Sequence, residues 1–200
     1  MADTPVRCFI AIEIPVHVQR ELHLLVMRLK ERVRSADVRW VATANIHLTL
    51  KFLGDVPAAR IDHVRAALEA TCAAAAPIHL GITSPGMFTT RGTPRVVWVG
   101  IGGELTRLAA LATALDESLG RLGFARENRP FAPHLTVARV RPEAGDSATA
   151  ALSVAVSDAA TGSSSFEASE VSLMRSQLTP GGAIYTRMAG ATLRDRAASG

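Results

Sequence analysis

The chain has 200 residues, of which 48% are hydrophobic and 20% are charged, and this composition excludes a disordered chain and supports a packed core. The formal net charge is +4, and Lys30 and Lys51 are the only lysines, so nearly all of the positive charge is arginine. Arginine suits phosphate through its forked donors, although a compositional bias of the organism would explain the same count.

No apolar stretch is long enough for a membrane span, and the N-terminus does not resemble a signal peptide. The two cysteines, Cys8 and Cys72, form neither a close metal-binding pair nor a disulfide framework. We therefore expect a cytoplasmic protein with no membrane partner.

The first half of the chain predicts, in order, a strand, an amphipathic helix, a short extended segment, a strand, a helix and a further strand, over residues 7–14, 18–33, 38–41, 46–53, 61–72 and 78–83. Pro15 ends the first strand, Gly54 ends the third extended segment, and Asp55 and Pro57 begin the second helix. The turn-forming residues 84–86 follow the last strand.

The second half predicts the same order of elements. A strand, a long helix, a strand, a weaker helix and a strand occupy 95–101, 105–122, 131–140, part of 147–157 and 166–174, with one more strand over 184–188 and a frayed tail from 194. His47 lies 40 residues after Arg7, and His134 lies 39 residues after Arg95. The matching spacing predicts an internal duplication with repeats at about 7–86 and 94–190 in a single domain, 1–200.

Each repeat contains the same short motif on a predicted strand, His47-Leu48-Thr49-Leu50 in the first and His134-Leu135-Thr136-Val137 in the second. Because side chains alternate along a strand, each motif presents a histidine and a threonine on one face and buries two aliphatic residues on the other. A pseudo-two-fold axis would bring the two pairs together at the centre of the molecule. Two imidazoles flanking one phosphorus can act as general base and general acid, since their pKa of about 6.5 lies near neutrality.

Around these motifs the chain resembles the two-histidine (2H) phosphoesterases. Within them it is most similar to the bacterial and archaeal RNA 2′,3′-cyclic phosphodiesterases, also called 2′-5′ RNA ligases or LigT-like proteins. The resemblance covers nearly the whole chain. It rests on the two motifs with their flanks and on the segments 7–11, 40–41 and 94–98, together with Ser176, Leu178, Pro180, Gly182 and Tyr185.

The resemblance implies an α+β, bilobal fold with an antiparallel sheet and helices in each lobe and a central cleft. It implies hydrolysis of RNA 2′,3′-cyclic phosphate ends to 2′-phosphomonoesters, with possible reverse 2′-5′ ligation, and no metal or cofactor. His47 would protonate the leaving 3′ oxygen and His134 would activate water. Thr49, Thr136 and Arg139 would hold the phosphate, and Phe52 would stack on or pack against the base. The partner would be an RNA end or a related cyclic nucleotide, and we expect a monomer.

Other interpretations of these residues stay open at this point. The two histidines could be hydrogen-bonded core residues, Arg139 could be a solvated strand-end arginine, and Phe52 could belong to the core. The local sequence does not decide which histidine is the acid. A phosphodiesterase for small cyclic nucleotides or ADP-ribose cyclic phosphate, and a non-catalytic RNA-end-binding module, remain alternatives.

Overall fold

The computed structural model describes residues 4–179 and 182–194, and these form four α-helices and nine strands. In chain order they are β1 (Val6–Glu13), α1 (Val16–Arg32), β2 (Val38–Trp40), β3 (His47–Val56), α2 (Ile61–Cys72), β4 (Ile78–Thr90), β5 (Thr93–Gly103), α3 (Leu105–Arg121), β6 (His134–Val140), α4 (Asp146–Ser157), β7 (Ser165–Ala168), β8 (Glu170–Thr179) and β9 (Gly182–Thr192). Short 3-10 turns occupy Thr43–Asn45 and Ala58–Arg60. Of the predicted frayed tail, all but Arg194 lies outside the described residues.

All nine strands pair antiparallel in one sheet, in the order β7-β4-β5-β6-β3-β1-β8-β9, with β2 paired to β6. The two sides of this sheet meet at β3 and β6, where the ladder consists of the pair Leu48 and Leu135. Each side therefore carries one His-x-Thr strand. The predicted α+β class with antiparallel strands is confirmed, and the strands of both halves join in a single sheet.

The two halves of the chain exchange their last strands. β4 comes from the first half but pairs with β5, whereas β8 comes from the second half and pairs with β1. The reason for the first exchange is the two-residue turn at Arg91 and Gly92, whose φ angles of 51° and 80° suit a tight hairpin and make β4 and β5 neighbours. Consequently the sequence repeats, 7–86 and 94–190, do not correspond to the two sides of the sheet.

The turn expected at residues 84–86 is not formed, because the chain stays extended through this stretch as part of β4. The β4–β5 ladder instead shifts register between Ile82 and Pro85. A proline is tolerated at such an irregularity because its missing N–H removes no regular ladder bond there. The strand also continues past Gly54 in β3, where the glycine adopts a φ of 69°.

Alternate residues of β1 divide between two apolar clusters. Cys8, Ile10 and Ile12 belong to the main core, which also contains the buried faces of all four helices, whereas Phe9 and Ala11 belong to a smaller cluster. The side chains of a strand alternate between faces, so the helices cover one face of the sheet and leave the other face for the histidines. Among the described helices, none is both long and apolar enough to cross a membrane.

Candidate active site

The Leu48–Leu135 pair places the two His-x-Thr motifs side by side. Both leucines are fully buried in the core, so the histidine and threonine on either side of each leucine point to the opposite face of the sheet. Antiparallel register sets His47 beside Thr136 and His134 beside Thr49. The two histidines are then diagonal neighbours, a relation that corresponds to a backbone separation of about 7–8 Å.

Each imidazole is fixed in the same way by the backbone just before it. Nδ1 of His47 lies 2.8 Å from the carbonyl oxygen of Asn45, and Nδ1 of His134 lies 2.7 Å from that of Ala132. A carbonyl oxygen only accepts hydrogen bonds, so Nδ1 carries a proton and donates it in both rings. Nε2 is then the ring atom at which each imidazole can accept a proton or, when protonated, donate one.

The surroundings of the two rings differ. His47 stacks on Phe9 with ring centroids 4.6 Å apart and meets the edge of Tyr185 at 5.1 Å. Burial lowers the pKa of His47, the hydrogen bond to Asn45 opposes this, Arg139 lowers the pKa further and Glu13 raises it. His134 is more open and meets Phe88 edge to face at 4.9 Å.

A β-bulge lies at the last residue of each motif and redirects the side chains after it. In β3, Ala11 pairs with Thr49 and Ile10 with Lys51, so Leu50 is the extra residue. In β6, Trp98 pairs with Thr136 and Val97 with Ala138, so Val137 is the extra residue. Such an insertion reverses the alternation of faces beyond it.

The residues after the bulges occupy equivalent places in the two strands. Lys51 and Ala138 turn into the core, with 7% and 0% exposure. Phe52 and Arg139 turn to the face of the histidines, where Phe52 is 66% exposed and Arg139 is also exposed. The structure therefore brings together all six residues that the sequence analysis names: His47, Thr49, Phe52, His134, Thr136 and Arg139.

Two pockets open beside the histidines. One of about 400 Å³ lies next to His134 and Thr49 and is walled by Phe52, Phe88, Phe131 and Arg129, with five flanking residues completing its lining. The other, of about 190 Å³, lies next to His47. A larger depression of about 530 Å³ between α2 and α3 contains neither histidine. Among the described residues, no three His, Cys, Asp or Glu side chains group as metal ligands.

Several residues of the site have no role in the sequence analysis. Phe9 stacks on His47 from β1, and its place follows from its pairing with Phe52 on the same face. Phe88 lies just beyond the residues expected to form a turn, and Arg129 lies in a loop with no periodic pattern. The sequence carries no local signal for either of the last two.

This arrangement, an antiparallel sheet in which two His-x-Thr strands present both imidazoles on one face, defines a two-histidine phosphoesterase. The sequence profile of the 2′-5′ RNA ligase superfamily matches residues 16–180, and the chain belongs to that family.

Several relatives share nearly the full length of the chain. The RNA 2′,3′-cyclic phosphodiesterase of Methanothermobacter thermautotrophicus is 35% identical over 185 residues, covering 92% of this chain and 96% of the relative. That of Archaeoglobus fulgidus is 33% identical over 184 residues, covering 90% and 96%.

Solved structures show the same fold. Escherichia coli LigT complexed with 3′-AMP superposes with a TM-score of 0.75 at 26% identity, over 96% of this chain and 99% of that one. A protein of Thermus thermophilus, TT0787, superposes with a TM-score of 0.78 at 24% identity, over 95% and 99%.

Proposed function

We propose that this enzyme hydrolyses RNA 2′,3′-cyclic phosphate ends to 2′-phosphomonoesters by metal-independent acid and base catalysis. The observation that carries the proposal is the Leu48–Leu135 pair, which sets two backbone-anchored imidazoles on one face of the sheet. The names of the relatives at 33–35% identity support the same substrate.

The proposed reaction is an in-line displacement at phosphorus. Nε2 of His134 takes a proton from water, the water oxygen forms a bond to phosphorus, and the bond from phosphorus to the 3′ oxygen breaks. Nε2 of His47 gives its proton to the departing 3′ oxygen, which leaves a 3′-hydroxyl and a 2′-phosphomonoester. Exchange with solvent then returns both rings to their starting protonation states.

Three further side chains stabilise the phosphate in this scheme. The hydroxyls of Thr49 and Thr136 lie on the same face between the histidines and can donate to the non-bridging oxygens. Arg139 reaches the same face because of the bulge at Val137, and its charge offsets the charge that develops on phosphorus. The guanidinium of Arg139 also lies close enough to His47 to lower the pKa of that imidazole.

The aromatic pocket of about 400 Å³ next to His134 receives the nucleobase in this scheme. Its volume falls within the range of about 300–1,000 Å³ that small ligands occupy in proteins. Exposed Phe52 provides a ring on which any base can stack, and Arg129 adds a positive charge at the pocket. A stacking contact tolerates all four bases, so we expect weak base preference.

The acid role of His47 requires its protonated form, yet burial lowers its pKa in the free protein. An anionic phosphate beside the ring favours the protonated form, as does Glu13, which pairs with His47 across β1 and β3. Binding of the anionic substrate therefore favours uptake of the catalytic proton by His47 from solvent.

The test is incubation of the protein with a 2′,3′-cyclic-phosphate-ended RNA in EDTA, followed by identification of the product isomer. We expect a 2′-phosphate at an undiminished rate. A 3′-phosphate product would reverse the leaving group, and loss of turnover in EDTA restored by a divalent cation would refute metal independence. An RNA-end-binding module without catalysis would instead bind this RNA and leave it intact.

The same groups can also join RNA ends: a 5′-hydroxyl attacks the cyclic phosphate in place of water, the bond from phosphorus to the 3′ oxygen breaks, and a 2′-5′ bond forms. Water greatly outnumbers RNA ends, so we expect hydrolysis to dominate. Accumulation of joined RNA beyond the hydrolysis product at equilibrium would contradict this expectation.

A phosphodiesterase for small cyclic nucleotides is the second candidate, because the aromatic pocket has room for a single nucleoside rather than for a long RNA. The E. coli LigT structures with 3′-AMP and with ATP are consistent with mononucleotide binding in that relative. Comparing kcat/KM for a nucleoside 2′,3′-cyclic phosphate with that for a cyclic-phosphate-ended oligonucleotide separates the two. A ratio well above one would favour the small substrate.

A further inference from the structure

Lys51 is a buried charge that the fold does not require. Its side chain is 5% exposed, although it follows the catalytic strand residue Thr49 by only two positions. The equivalent place in the second repeat is held by Ala138, which is fully buried. A small apolar residue therefore satisfies the packing at this position of the sheet, and the lysine must be explained by its contacts.

Lys51 contacts one segment, the connection 122–133 between α3 and β6, both directly and through Asp116. Nζ of Lys51 lies 2.5 Å from Oδ1 of Asp116 on α3 and donates to the carbonyl oxygen of Ala125 at 2.8 Å. Asp116 in turn accepts a hydrogen bond from the backbone N–H of Glu127 at 3.1 Å and from Nε of Arg126 at 2.5 Å. Lys51 and Asp116 thus hold consecutive parts of the connection from inside the protein.

This connection contains no helix or strand of its own. The corresponding segment of the first repeat, between α1 and β3, has both β2, which pairs with β6, and the 3-10 turn Thr43–Asn45. The connection before His134 lacks such a strand, so its position depends on side-chain contacts. Its later residues, Arg129 and Phe131, line the pocket beside His134.

We infer that Lys51 is a positioning residue of the active site, which fixes the connection 122–133 through Asp116 and the Ala125 carbonyl and so sets the pocket wall that Arg129 and Phe131 form. The inference rests on the proposed function for the identity of the substrate. A buried ion pair is weak evidence for stability, since apolar residues of similar volume often replace such pairs without loss. Fixing one geometry of a segment that has no ladder bonds is a role that an apolar residue would not fill.

The test compares Lys51→Met with Lys30→Met, a matched control because Lys30 is the only other lysine and is exposed on α1. In Lys51→Met, Asp116 keeps Arg126 and the Glu127 N–H as partners, so no carboxylate is left unpaired. With a nucleoside 2′,3′-cyclic phosphate we expect KM to rise about tenfold with kcat changed less than about threefold, since displacement of a positioning group weakens binding geometry. Lys30→Met should match the wild type.

Hydrogen exchange measures the position of the connection directly. The Glu127 amide should exchange faster in Lys51→Met than in the wild type, and it should be unchanged in Lys30→Met. Should Lys51→Met fail to fold, Arg126→Ala removes a surface contact of the same cluster and should raise KM in the same direction by a smaller factor.

An unchanged KM in either variant overturns the inference. The inference is also overturned if kcat of Lys51→Met falls only in proportion to the fraction of folded enzyme, because Lys51 would then contribute to stability alone. If the wild type turns over no cyclic phosphate, the proposed function fails. The positioning role is tested separately by hydrogen exchange, and an unchanged exchange rate of the Glu127 amide in Lys51→Met would reject it.

Discussion

Phe52→Ala separates the two interpretations of this phenylalanine, a core residue or a surface on which a base stacks. Phe52 is 66% exposed, so about a third of its side chain is buried. A phenylalanine buries about 150–250 Å² when enclosed, which leaves about 50–80 Å² here. At about 25 cal/mol per Å², and allowing for the area that alanine keeps and the compactness of the unfolded chain, truncation costs about 1 kcal/mol of stability.

The expected effect on substrate is larger. Stacking of a base on an aromatic ring contributes about 1–3 kcal/mol, which corresponds to a rise in KM of roughly 5- to 150-fold. The assay is KM and kcat with a nucleoside 2′,3′-cyclic phosphate, together with the urea midpoint of unfolding. Leu178→Ala is the matched control, because Leu178 is also apolar and is 72% exposed. An unchanged KM with a stability loss above about 2 kcal/mol would assign Phe52 to the core and refute the reasoning.

Three further predictions concern the histidines and threonines. His47→Ala and His134→Ala should each lower kcat by about 10²–10⁴-fold. With a substrate whose 3′ oxygen is replaced by sulfur, a leaving group that needs no proton, only His47→Ala should recover, and recovery of His134→Ala instead would exchange the two roles. Thr136→Val should lower kcat by about 10- to 100-fold through loss of a hydrogen bond to a charged oxygen, and Thr136→Ser should restore it. Burial lowers the pKa of His47, so the stability linked to this ring is fully present above about pH 6.5 and is lost as the pH falls through the lower pKa of the folded chain. The urea midpoint should therefore fall less between pH 7 and pH 5 in His47→Gln than in the wild type. An equal fall in both proteins would contradict a lowered pKa of His47.

Strand periodicity was enough to predict which face of the sheet carries the first four site residues. His47 and Thr49 share one face because they are two positions apart on a regular strand, and the same holds for His134 and Thr136. The spacing of the repeats also predicted that the two His-x-Thr pairs would meet at the centre of the molecule, and in the structure their strands lie side by side through the Leu48–Leu135 pair.

The same periodicity fails just beyond the motifs. Strict alternation from His47 would place Lys51 on the face of the histidines and Phe52 in the core, which is the reverse of the structure. The cause is the extra residue at Leu50, and neither Leu50 nor Val137 differs in residue type from an ordinary strand residue. A bulge made by an aliphatic residue leaves no mark in a hydrophobicity pattern, so it could not be predicted.

The exchange of strands between the two halves could not be predicted from the sequence for a related reason. Its local determinant is the turn at Arg91 and Gly92, in which an arginine adopts a positive φ of 51°. Two-residue hairpins of this geometry are usually marked by asparagine, aspartate or glycine at both central positions. With only one glycine present, the segment resembles an ordinary connection between repeats. The strand predicted over residues 78–83 is therefore shorter than β4, which extends to Thr90.

The two matching bulges suggest how a pair of similar strands can support the asymmetric reaction that we propose. Each repeat supplies one imidazole anchored through Nδ1, and these two rings are nearly interchangeable in their backbone contacts. The two strands diverge at the second position after each bulge. One presents the ring of Phe52, which can stack on a base but cannot hold a phosphate, and the other presents the guanidinium of Arg139, whose forked donors suit a phosphate. In the proposed reaction the nucleoside and the phosphate would therefore be directed to different sides of the histidine pair. The substrate would have one productive orientation, and this orientation, rather than the motifs themselves, would give the two histidines distinct roles as acid and base.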